Sequence, residues 1–407
     1  MSIDKINLKR EWHDALLVLG IMHGAKAYTG PTLAQLDITN RCNNNCIACW
    51  VRSPLLQERE ATSEWKSAEL PFEKIRSLLD ELSEMGTKRI FLAGGGEPFI
   101  HPGIFKILAY IKEKGMSIDM NTNFTLIDEK SVKKIISLGV DHINVSLWAG
   151  NAKTYCKTHP NKDKKTFLKI EKMLKLLSKT KDLKPVINIY NVLLNLNYHE
   201  FKSMLEFGFK VKADTIDFVL VDVIPGKTDK LLLNATQRKE LISELEKTDA
   251  YLKRFKEKYK HNLQIPLFEQ FKRRVLNPNM TKGIYENNII ESIPCYAGWS
   301  FTRISATGNV DPCLKAHKIS VGNIYEKSFN KIWSDKKQKE FRKKTFVKIK
   351  KGPYFSMIGE DSSKKSGCYF SCDNLGLNFE THEKIRKFSS KNKLFKLVSK
   401  VKWKNLI

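Results

Sequence analysis

The chain has 407 residues, of which 42% are hydrophobic and 28% are charged, so it is long enough for two or three globular domains and its composition excludes a disordered chain. Lysine and arginine outnumber acidic residues by 71 to 44, a formal net charge of +27. This excess indicates an anionic partner such as a phosphorylated metabolite, a nucleic acid or a membrane surface, unless the chain is simply rich in lysine.

Residues 1–31 are predicted to form a short helical leader. Its longest apolar run, at 15–22, is far shorter than the roughly 20 residues that cross a bilayer, and no small-residue cleavage site stands out. Eight cysteines at uneven spacing argue against a disulfide framework when no secretion signal is present. We therefore expect a cytoplasmic protein with metal or redox chemistry.

From residue 32 the chain alternates between strand patterns and helix patterns. Six strand–helix units predict an α/β fold with a parallel sheet and helices outside, which either fans out or curls into a barrel. Strands are predicted at 32–39, 89–93, 117–123, 142–148, 185–194 and 214–223, and helices at 71–86, 101–115, 129–139, 163–180, 198–208 and 235–258.

Three cysteines, Cys42, Cys46 and Cys49, lie within eight residues directly after the first predicted strand. This is the carboxyl end of a parallel sheet, where α/β proteins hold their reactive groups. No fourth cysteine or histidine lies nearby in the sequence, although a structural zinc site and a fully ligated iron–sulfur cube each need four ligands. The spacing predicts a soft-metal centre with one open position, with zinc and inert packing cysteines as the alternatives.

The second predicted strand runs into the segment "GGGEP" at 94–98. Glycines let a backbone approach a ligand closely, although such a segment can also be an ordinary turn between a strand and a helix. Polar side chains, Asn121, Asn123 and Ser146, end the third and fourth strands. They can contact a ligand at the edge of the sheet, but ordinary capping of the strand ends explains them equally well.

The cysteine spacing after the first strand, followed by "GGGEP" after the second, resembles the radical S-adenosylmethionine (radical SAM) superfamily, with matching strand–helix order over about 32–225. The resemblance implies a partial (β/α)6 TIM-like barrel over 32–260. It implies that Cys42, Cys46 and Cys49 hold a 4Fe-4S cluster whose open iron binds S-adenosylmethionine. One electron then cleaves this cofactor, and the 5'-deoxyadenosyl radical removes hydrogen from a substrate.

The same resemblance assigns cofactor contacts. They are the backbone of Gly95, Gly96, Glu97 and Pro98 and, more weakly, the side chains of Asn121, Asn123 and Ser146. The chain departs from the family at one position. The family often has an aromatic residue near adenine immediately before the third cysteine, but Ala48 stands there and Trp50 follows Cys49. Adenine packing is therefore expected to differ.

Four further cysteines follow a predicted linker at 261–289. Together with the segment "GNVDPC" at 308–313, they make residues 290–375 resemble the auxiliary-cluster domain of radical SAM enzymes, which is called SPASM or, in its shortened form, twitch. A full SPASM domain has seven or more cysteines, whereas four suffice for one fully ligated cluster. We therefore expect a small C-terminal domain of the twitch type, with a four-cysteine zinc site as the alternative. Its ligands are expected to be Cys295, Cys313, Cys368 and Cys372.

Two features remain outside these groups. Cys156 follows the fourth predicted strand and is a hypothetical hydrogen-atom donor of an epimerase, although a free cysteine is more often a small buried hydrophobe. The basic tail, 376–407, carries nine Lys or Arg and one acidic residue from 381 onward. It is expected to contact a membrane surface or phosphates, or to be a frayed end.

The sequence predicts an enzyme that acts on a small anionic metabolite, such as a nucleotide-linked sugar, by oxidation, epimerisation or elimination. An electron donor such as flavodoxin or ferredoxin is expected. A peptide maturase is the alternative, ranked lower because about 30 residues before the core are too few for a leader-binding domain. The third hypothesis is a protein without catalytic activity, either an electron carrier or a basic protein that binds a membrane or RNA. A carrier needs no open iron, and no aromatic platform for nucleic acid is evident.

Overall fold

A computed structural model describes residues 12–57, 61–286, 288–359 and 367–391 of the chain. Within these ranges, nine strands join into one sheet. The strands are β1 (Leu33–Leu36), β2 (Arg89–Leu92), β3 (Ser117–Thr122), β4 (His142–Ser146), β5 (Val186–Leu193), β6 (Thr215–Leu220), β7 (Phe301–Ile304), β8 (Asn309–Asp311) and β9 (Gly322–Asn323).

Fifteen α-helices are found in the same described ranges. They are α1 (His13–His23), α2 (Ser63–Ser67), α3 (Phe72–Glu84), α4 (Ile104–Glu113), α5 (Glu129–Ser137), α6 (Ala152–Thr158), α7 (Lys164–Thr180), α8 (Phe201–Lys210), α9 (Ala235–Glu246), α10 (Thr248–Tyr259), α11 (Phe268–Leu276), α12 (Ala297–Ser300), α13 (Phe329–Trp333), α14 (Lys336–Thr345) and α15 (Leu375–Lys391).

The sheet has the strand order β6-β5-β4-β3-β2-β1-β7-β8-β9 and is not closed. Strands β1 to β6 are parallel to their neighbours, and β7 pairs in parallel with β1 before β8 and β9 follow in antiparallel. The predicted α/β class, a partial barrel with a C-terminal cysteine-rich domain, is confirmed. The C-terminal segment also extends the sheet of the core, which the sequence did not indicate.

The helices cover one face of the sheet. In α3 the buried residues recur at helical spacing, Ile75, Leu78, Leu79 and Leu82, as expected for a helix that packs on a sheet. In β3, Ile118 and Met120 are fully buried on that side, and the alternate residues are only half-buried. The half-buried residues lie on the opposite face, called here the inner face, which is free to line a site.

Two predicted segments differ from the structure. The predicted linker contains the helix α11, whose Phe271 is buried and lies with its ring centroid 5.7 Å from that of Phe218 in β6. Three consecutive turn-forming residues after the helix, at 277–279, obscured its apolar face in the sequence. The single helix predicted at 235–258 is two helices, since the chain turns at Lys247 between α9 and α10.

The leader and the tail meet on one side of the molecule. Leu17 of α1 packs in a buried cluster with Trp299 of α12 and Ile385 of α15. Residues 1–11 of the predicted leader and 392–407 of the predicted basic tail lie outside the described residues, so membrane contact by the tail stays a prediction. In the described part of the chain, no helix has the length and apolar character that crossing a membrane requires.

Candidate active site

The loop that carries Cys42, Cys46 and Cys49 leaves β1 at the C-terminal edge of the sheet, and hydrogen bonds hold it to the next loops. Asn43 donates through Nδ2 to Thr125 Oγ1 at 2.8 Å and accepts through Oδ1 from Asn123 Nδ2 at 2.9 Å. Asn123, predicted to contact the cofactor, thus ties the end of β3 to the cysteine loop.

The two residues that flank Cys46 are fixed by the end of α6. The backbone N–H of Asn45 donates to Asn161 Oδ1, and that of Ile47 donates to the carbonyl of Thr158, each at 2.9 Å. The position of Cys46 therefore depends on the helix that follows β4.

The glycines of "GGGEP" are required because this segment packs against the cysteine loop. Gly94 has a φ of +112°, and a Cβ there would lie 1.9 Å from Asp37 Cγ. A Cβ on Gly96 would lie 2.2 Å from the carbonyl oxygen of Arg41, to which the next N–H, that of Glu97, donates at 2.8 Å. Only glycine fits so close an approach of two backbones.

Glu97 is buried and joins the loops after β2 and β3. Its carboxylate accepts from Thr122 Oγ1 and from the Asn123 N–H, each at 2.7 Å, and from the Phe99 N–H at 3.2 Å. Burial outweighs these hydrogen bonds and raises the pKa of Glu97 to about 7. Its side chain is therefore a structural acceptor, and Pro98 next to it begins a 3₁₀ turn, Pro98–Ile100.

The remaining predicted strand-end residues lie on the inner face. Asn121 stands opposite Asn144 in the sheet, and Ser146 ends β4 two residues further along. Asn188 of β5 donates through Nδ2 to Asn144 Oδ1 at 2.9 Å and to Asp217 Oδ2 at 3.0 Å. The inner face thus carries a polar row across β3 to β6.

The three thiols of the first loop lie in surroundings that disfavour free thiolates. Burial raises the pKa of Cys42 to about 11 and raises the pKa of Cys46 and Cys49 above the usual range. A bound metal centre is what normally deprotonates such thiols.

Polar atoms without a well-formed hydrogen bond surround this loop. The Asn44 amide and the Tyr155 hydroxyl are buried beside each other near Cys46 and make no well-formed hydrogen bond in the described part of the chain, and the Nε of Arg52 makes none either. Buried polar groups are normally satisfied, so these donors fit an anionic group held by the cysteines. The residues present therefore fit a cluster with three thiolate ligands.

Ala48 and Trp50 have different surroundings. Ala48 packs in a buried cluster with Trp148, whose indole N–H is likewise without a partner in the described residues. Trp50 points to the C-terminal segment: its Nε1 donates to the carbonyl of Asp222 at 2.9 Å, and Lys315 Nζ lies 4.9 Å from its ring centroid. Trp148 therefore shares a buried cluster with Ala48, whereas Trp50 contacts Asp222 and Lys315.

The later cysteines line one cavity. The lining includes all four thiols, Cys295, Cys313, Cys368 and Cys372. Asn374 Nδ2 lies 3.6 Å from Cys313 Sγ, and Asn378 Nδ2 lies 3.9 Å from Cys295 Sγ. Burial raises the pKa of Cys313 and Cys372. Four thiols around one cavity, with amide donors, fit a fully ligated iron–sulfur cluster.

No set of three or more His, Cys, Asp or Glu side chains within the described ranges is arranged to hold a single metal ion.

The two cysteine groups are joined through Asp222, which follows β6. The carboxylate of Asp222 accepts from Lys315, two residues after Cys313, and from Ser371 Oγ, one residue before Cys372, at 2.7 Å for the serine. Its carbonyl accepts from Trp50, one residue after Cys49. Three chain segments that carry cysteines thus meet at one residue.

Cys156 lies in α6, half-buried, outside both groups. Its neighbours are structural: His159 stacks on Tyr155 with ring centroids 4.3 Å apart, and burial lowers the pKa of His159 to about 4. The imidazole is therefore neutral near pH 7.

Sequence reasoning missed Asn44, Tyr155, Asp222 and Lys350. Only Asn44 carried a visible signal, because it lies in the run of three asparagines between Cys42 and Cys46. The others come close to the cysteines only through the fold.

A parallel sheet with a three-cysteine loop at its C-terminal edge, joined to a four-cysteine cavity, defines an α/β protein of the iron–sulfur type. Residues 36–208 match the model of the radical SAM superfamily, and residues 295–354 match that of SPASM, an iron–sulfur cluster-binding domain. The chain belongs to the radical SAM superfamily and is a radical SAM enzyme with a C-terminal SPASM domain. The family uses S-adenosylmethionine and a 4Fe-4S cluster, and the SPASM domain implies auxiliary iron–sulfur.

Similar proteins have several different activities. An AdoMet-dependent heme synthase of Methanosarcina barkeri is 26% identical over 75% of this chain and 82% of its own length. The antilisterial bacteriocin subtilosin biosynthesis protein AlbA of Bacillus subtilis is 23% identical over 76% of this chain and 61% of its own length. The structure of anSMEcpe with bound AdoMet superimposes with a TM-score of 0.58 at 16% identity, covering 90% and 99% of the two chains, which shows a shared fold.

Proposed function

We propose that Cys42, Cys46 and Cys49 bind the 4Fe-4S cluster and that the four cavity cysteines, Cys295, Cys313, Cys368 and Cys372, bind a second one. The first cluster, with S-adenosylmethionine, supplies a 5'-deoxyadenosyl radical that removes hydrogen from the substrate, and the second can carry an electron. The amide of Asn44 and the hydroxyl of Tyr155, which make no well-formed hydrogen bond in the described residues, support the first assignment. The four later thiols line one cavity but are not arranged to hold a single metal ion in the described residues, which supports the second cluster over zinc.

The observation that carries this proposal is the convergence of both cysteine-bearing regions on Asp222. Trp50, Lys315 and Ser371, each one or two residues from a cysteine, contact this one residue, which supports two neighbouring metal sites that act on one substrate.

The inner face suggests how the substrate is recognised. Its row of asparagines offers neutral donors and acceptors, and Tyr190 adds a phenol. Three cations near the two cysteine groups are paired with carboxylates: Lys315 with Asp222, Arg274 with Glu286 and Arg303 with Asp37. We therefore infer a small polar substrate bound through hydroxyl or amide groups, in place of the anionic sugar nucleotide that the net charge favoured.

Some of the residues that the sequence proposed as cofactor contacts keep that role, and two are proposed to position the loops instead. We propose that the backbone of Gly95, Gly96 and Pro98 and the side chains of Asn121 and Ser146 contact S-adenosylmethionine. For Glu97 and Asn123 we propose that the side chains position the loops, because both are engaged by neighbours.

The class of substrate can be tested by measuring whether hydrogen passes from a candidate substrate to 5'-deoxyadenosine when S-adenosylmethionine is cleaved. Deuterated candidates are incubated with reconstituted enzyme, and deuterium in 5'-deoxyadenosine is measured by mass spectrometry. A neutral polyol should transfer deuterium, whereas its phosphate ester should not. Transfer from the phosphate ester alone would contradict the neutral substrate and restore the anionic one.

Peptide maturation is the second candidate, and it is favoured by the similarity to the subtilosin biosynthesis protein. A peptide encoded near the gene serves as its probe in the same assay. Deuterium transfer from the peptide, with none from small molecules, would establish this alternative.

Cys156 remains a candidate hydrogen-atom donor for an epimerisation. Undiminished turnover of Cys156→Ala would exclude that role. A flavodoxin or a ferredoxin remains the proposed electron donor, and photoreduced flavodoxin should replace dithionite in the assay.

A further inference from the structure

Lys350 is a buried lysine at the wall of the four-cysteine cavity. The residue is 4% exposed, and its side chain lines the cavity together with Cys295, Cys368 and Cys372. Lysine is rarely buried to this extent unless its charge is paired, so the partner of this ammonium group needs an explanation.

The hydrogen bonds of Lys350 go to backbone carbonyls. Its Nζ donates to the carbonyl oxygens of Ile290 at 2.8 Å, Ile293 at 3.3 Å, Val347 at 3.2 Å and Lys348 at 2.9 Å. These bonds satisfy its protons and bring no compensating negative charge.

Carboxylates in the described ranges do not supply that charge directly. None of them forms an ion pair with Lys350 Nζ, and Glu291, which acts on Lys350 without a hydrogen bond, already accepts from the Tyr369 hydroxyl at 2.5 Å. Burial lowers the pKa of Lys350, and the groups whose negative charge would oppose this shift are Cys295, Cys368, Cys372 and Glu291. The negative charge that faces Lys350 is therefore expected to arise at the cysteines.

We propose that Lys350 is the counter-charge of the auxiliary iron–sulfur cluster and raises its reduction potential. This inference rests on the proposed function, because it requires a cluster at the four cysteines. Each thiolate brings a negative charge, and one-electron reduction adds another. A fixed positive charge in a low-dielectric wall stabilises the reduced form more than the oxidised form.

A purely structural role is the competing explanation. Lys350 would then only hold residues 290–293 against residues 347–348 through its carbonyl bonds. Such a role changes folding and cluster retention but leaves the potential of a retained cluster unchanged, so the potential separates the two explanations.

The test is a redox titration of the anaerobically reconstituted full chain, followed by electron paramagnetic resonance. The signal of the first cluster is identified by its change on addition of S-adenosylmethionine, and the auxiliary signal by its insensitivity. Lys350→Gln keeps a donor for the carbonyls and removes the charge. Lys350→Arg keeps the charge. Lys351→Met removes a charge from the exposed neighbour and is the matched control.

We expect Lys350→Gln to lower the equilibrium constant for reduction of the auxiliary cluster at least tenfold, a shift of about 59 mV for one electron. Lys350→Arg and Lys351→Met should change it less than twofold. A retained auxiliary signal with less than a twofold change in Lys350→Gln would overturn the inference.

Cluster loss is also informative. If Lys350→Gln loses the auxiliary signal and Lys350→Arg keeps it, the charge is needed to hold the cluster, which supports the inference. If both variants lose it, the carbonyl bonds are the function of Lys350 and the inference fails. Wild-type enzyme that cleaves S-adenosylmethionine but shows zinc at this site overturns the second cluster itself, a failure distinct from that of Lys350.

Discussion

Arg303 in β7 forms a buried ion pair with Asp37 at the end of β1. Its Nε and Nη2 lie 2.8 Å and 2.5 Å from Asp37 Oδ2. Gln35 donates to the other carboxylate oxygen at 2.9 Å. Asp37 is fully buried and directly precedes the cysteine loop, and its carboxylate is also the group against which Gly94 packs. This pair connects the C-terminal strands to the start of the loop that carries Cys42, Cys46 and Cys49.

Loss of the Arg303 side chain should destabilise the whole chain. Arg303→Met leaves Asp37 buried without its partner, and breaking a buried pair typically costs about 3–5 kcal/mol. Urea unfolding followed by circular dichroism measures the change. Arg386→Met, in an exposed pair with Glu383, should cost less than about 1 kcal/mol. Equal losses in the two variants would show that the Asp37 pair contributes no more than a surface contact.

A methyl group on Gly96 should disrupt the first metal site. The added Cβ would lie 2.2 Å from the carbonyl oxygen of Arg41. Because Arg41 directly precedes Cys42, a shift of its backbone would also displace Cys42. We expect Gly96→Ala to lose most of the iron of the first cluster. Gly376→Ala, where a Cβ would have no atom within 4 Å, should retain all of it. Normal iron content in both would contradict the packing argument.

Removal of the Tyr155 hydroxyl should change the properties of the protein with its iron–sulfur cluster bound more than the stability of the metal-free protein. Because the buried hydroxyl makes no well-formed hydrogen bond in the described residues and only approaches the Asn44 side chain, Tyr155→Phe should lower the free energy of unfolding of the metal-free protein by less than about 1 kcal/mol. With a cluster bound, we expect a lower reduction potential for the first cluster, since a donor to its sulfur atoms is lost. Tyr198→Phe, whose hydroxyl bonds Glu240 on the surface, is the control. An unchanged potential in Tyr155→Phe would refute the assignment.

The pair of His142 and Asp119 should make stability depend on pH. The hydrogen bond from His142 Nδ1 to Asp119 Oδ1, at 2.7 Å, raises the pKa of His142 above 6.5. The stabilisation is therefore complete below pH 6.5 and is lost as pH rises through the folded-state pKa. A double-mutant cycle with His142→Gln and Asp119→Asn should give a coupling below about 1 kcal/mol, because the histidine is half exposed. A coupling that grows between pH 6 and 8.5 would contradict this sign.

The sequence predicted the parts of the fold that depend on local pattern. The strands and helices predicted from 32 to 223 agree with the structure to within a few residues, because each has a clear period. The short helices α2 and α6 in the same range were not predicted. The pairing of β7 with β1 was not predictable, since the two strands are more than 260 residues apart and their register depends on Asp37 meeting Arg303.

The part of the candidate site that the sequence predicted is the part marked by the spacing of reactive residues along the chain. Cys42, Cys46 and Cys49 stand out in the sequence, and their neighbours do not. Tyr155 and Lys350 approach the cysteines only after the chain folds, and each looks like an ordinary residue of a helix or a basic segment. The sequence also could not show that Glu97 uses its carboxylate to join two loops.

The central claim is that Cys42, Cys46 and Cys49 form the centre at which S-adenosylmethionine is cleaved. The most direct measurement is 5'-deoxyadenosine and methionine formed by anaerobically reconstituted, reduced enzyme, quantified by liquid chromatography and mass spectrometry. Wild type and Cys156→Ala should both form these products, and Cys42→Ala should form them at less than about 1% of the wild-type rate, because a position on the cluster has lost its ligand. Comparable product from Cys42→Ala, or none from wild type, would contradict the account.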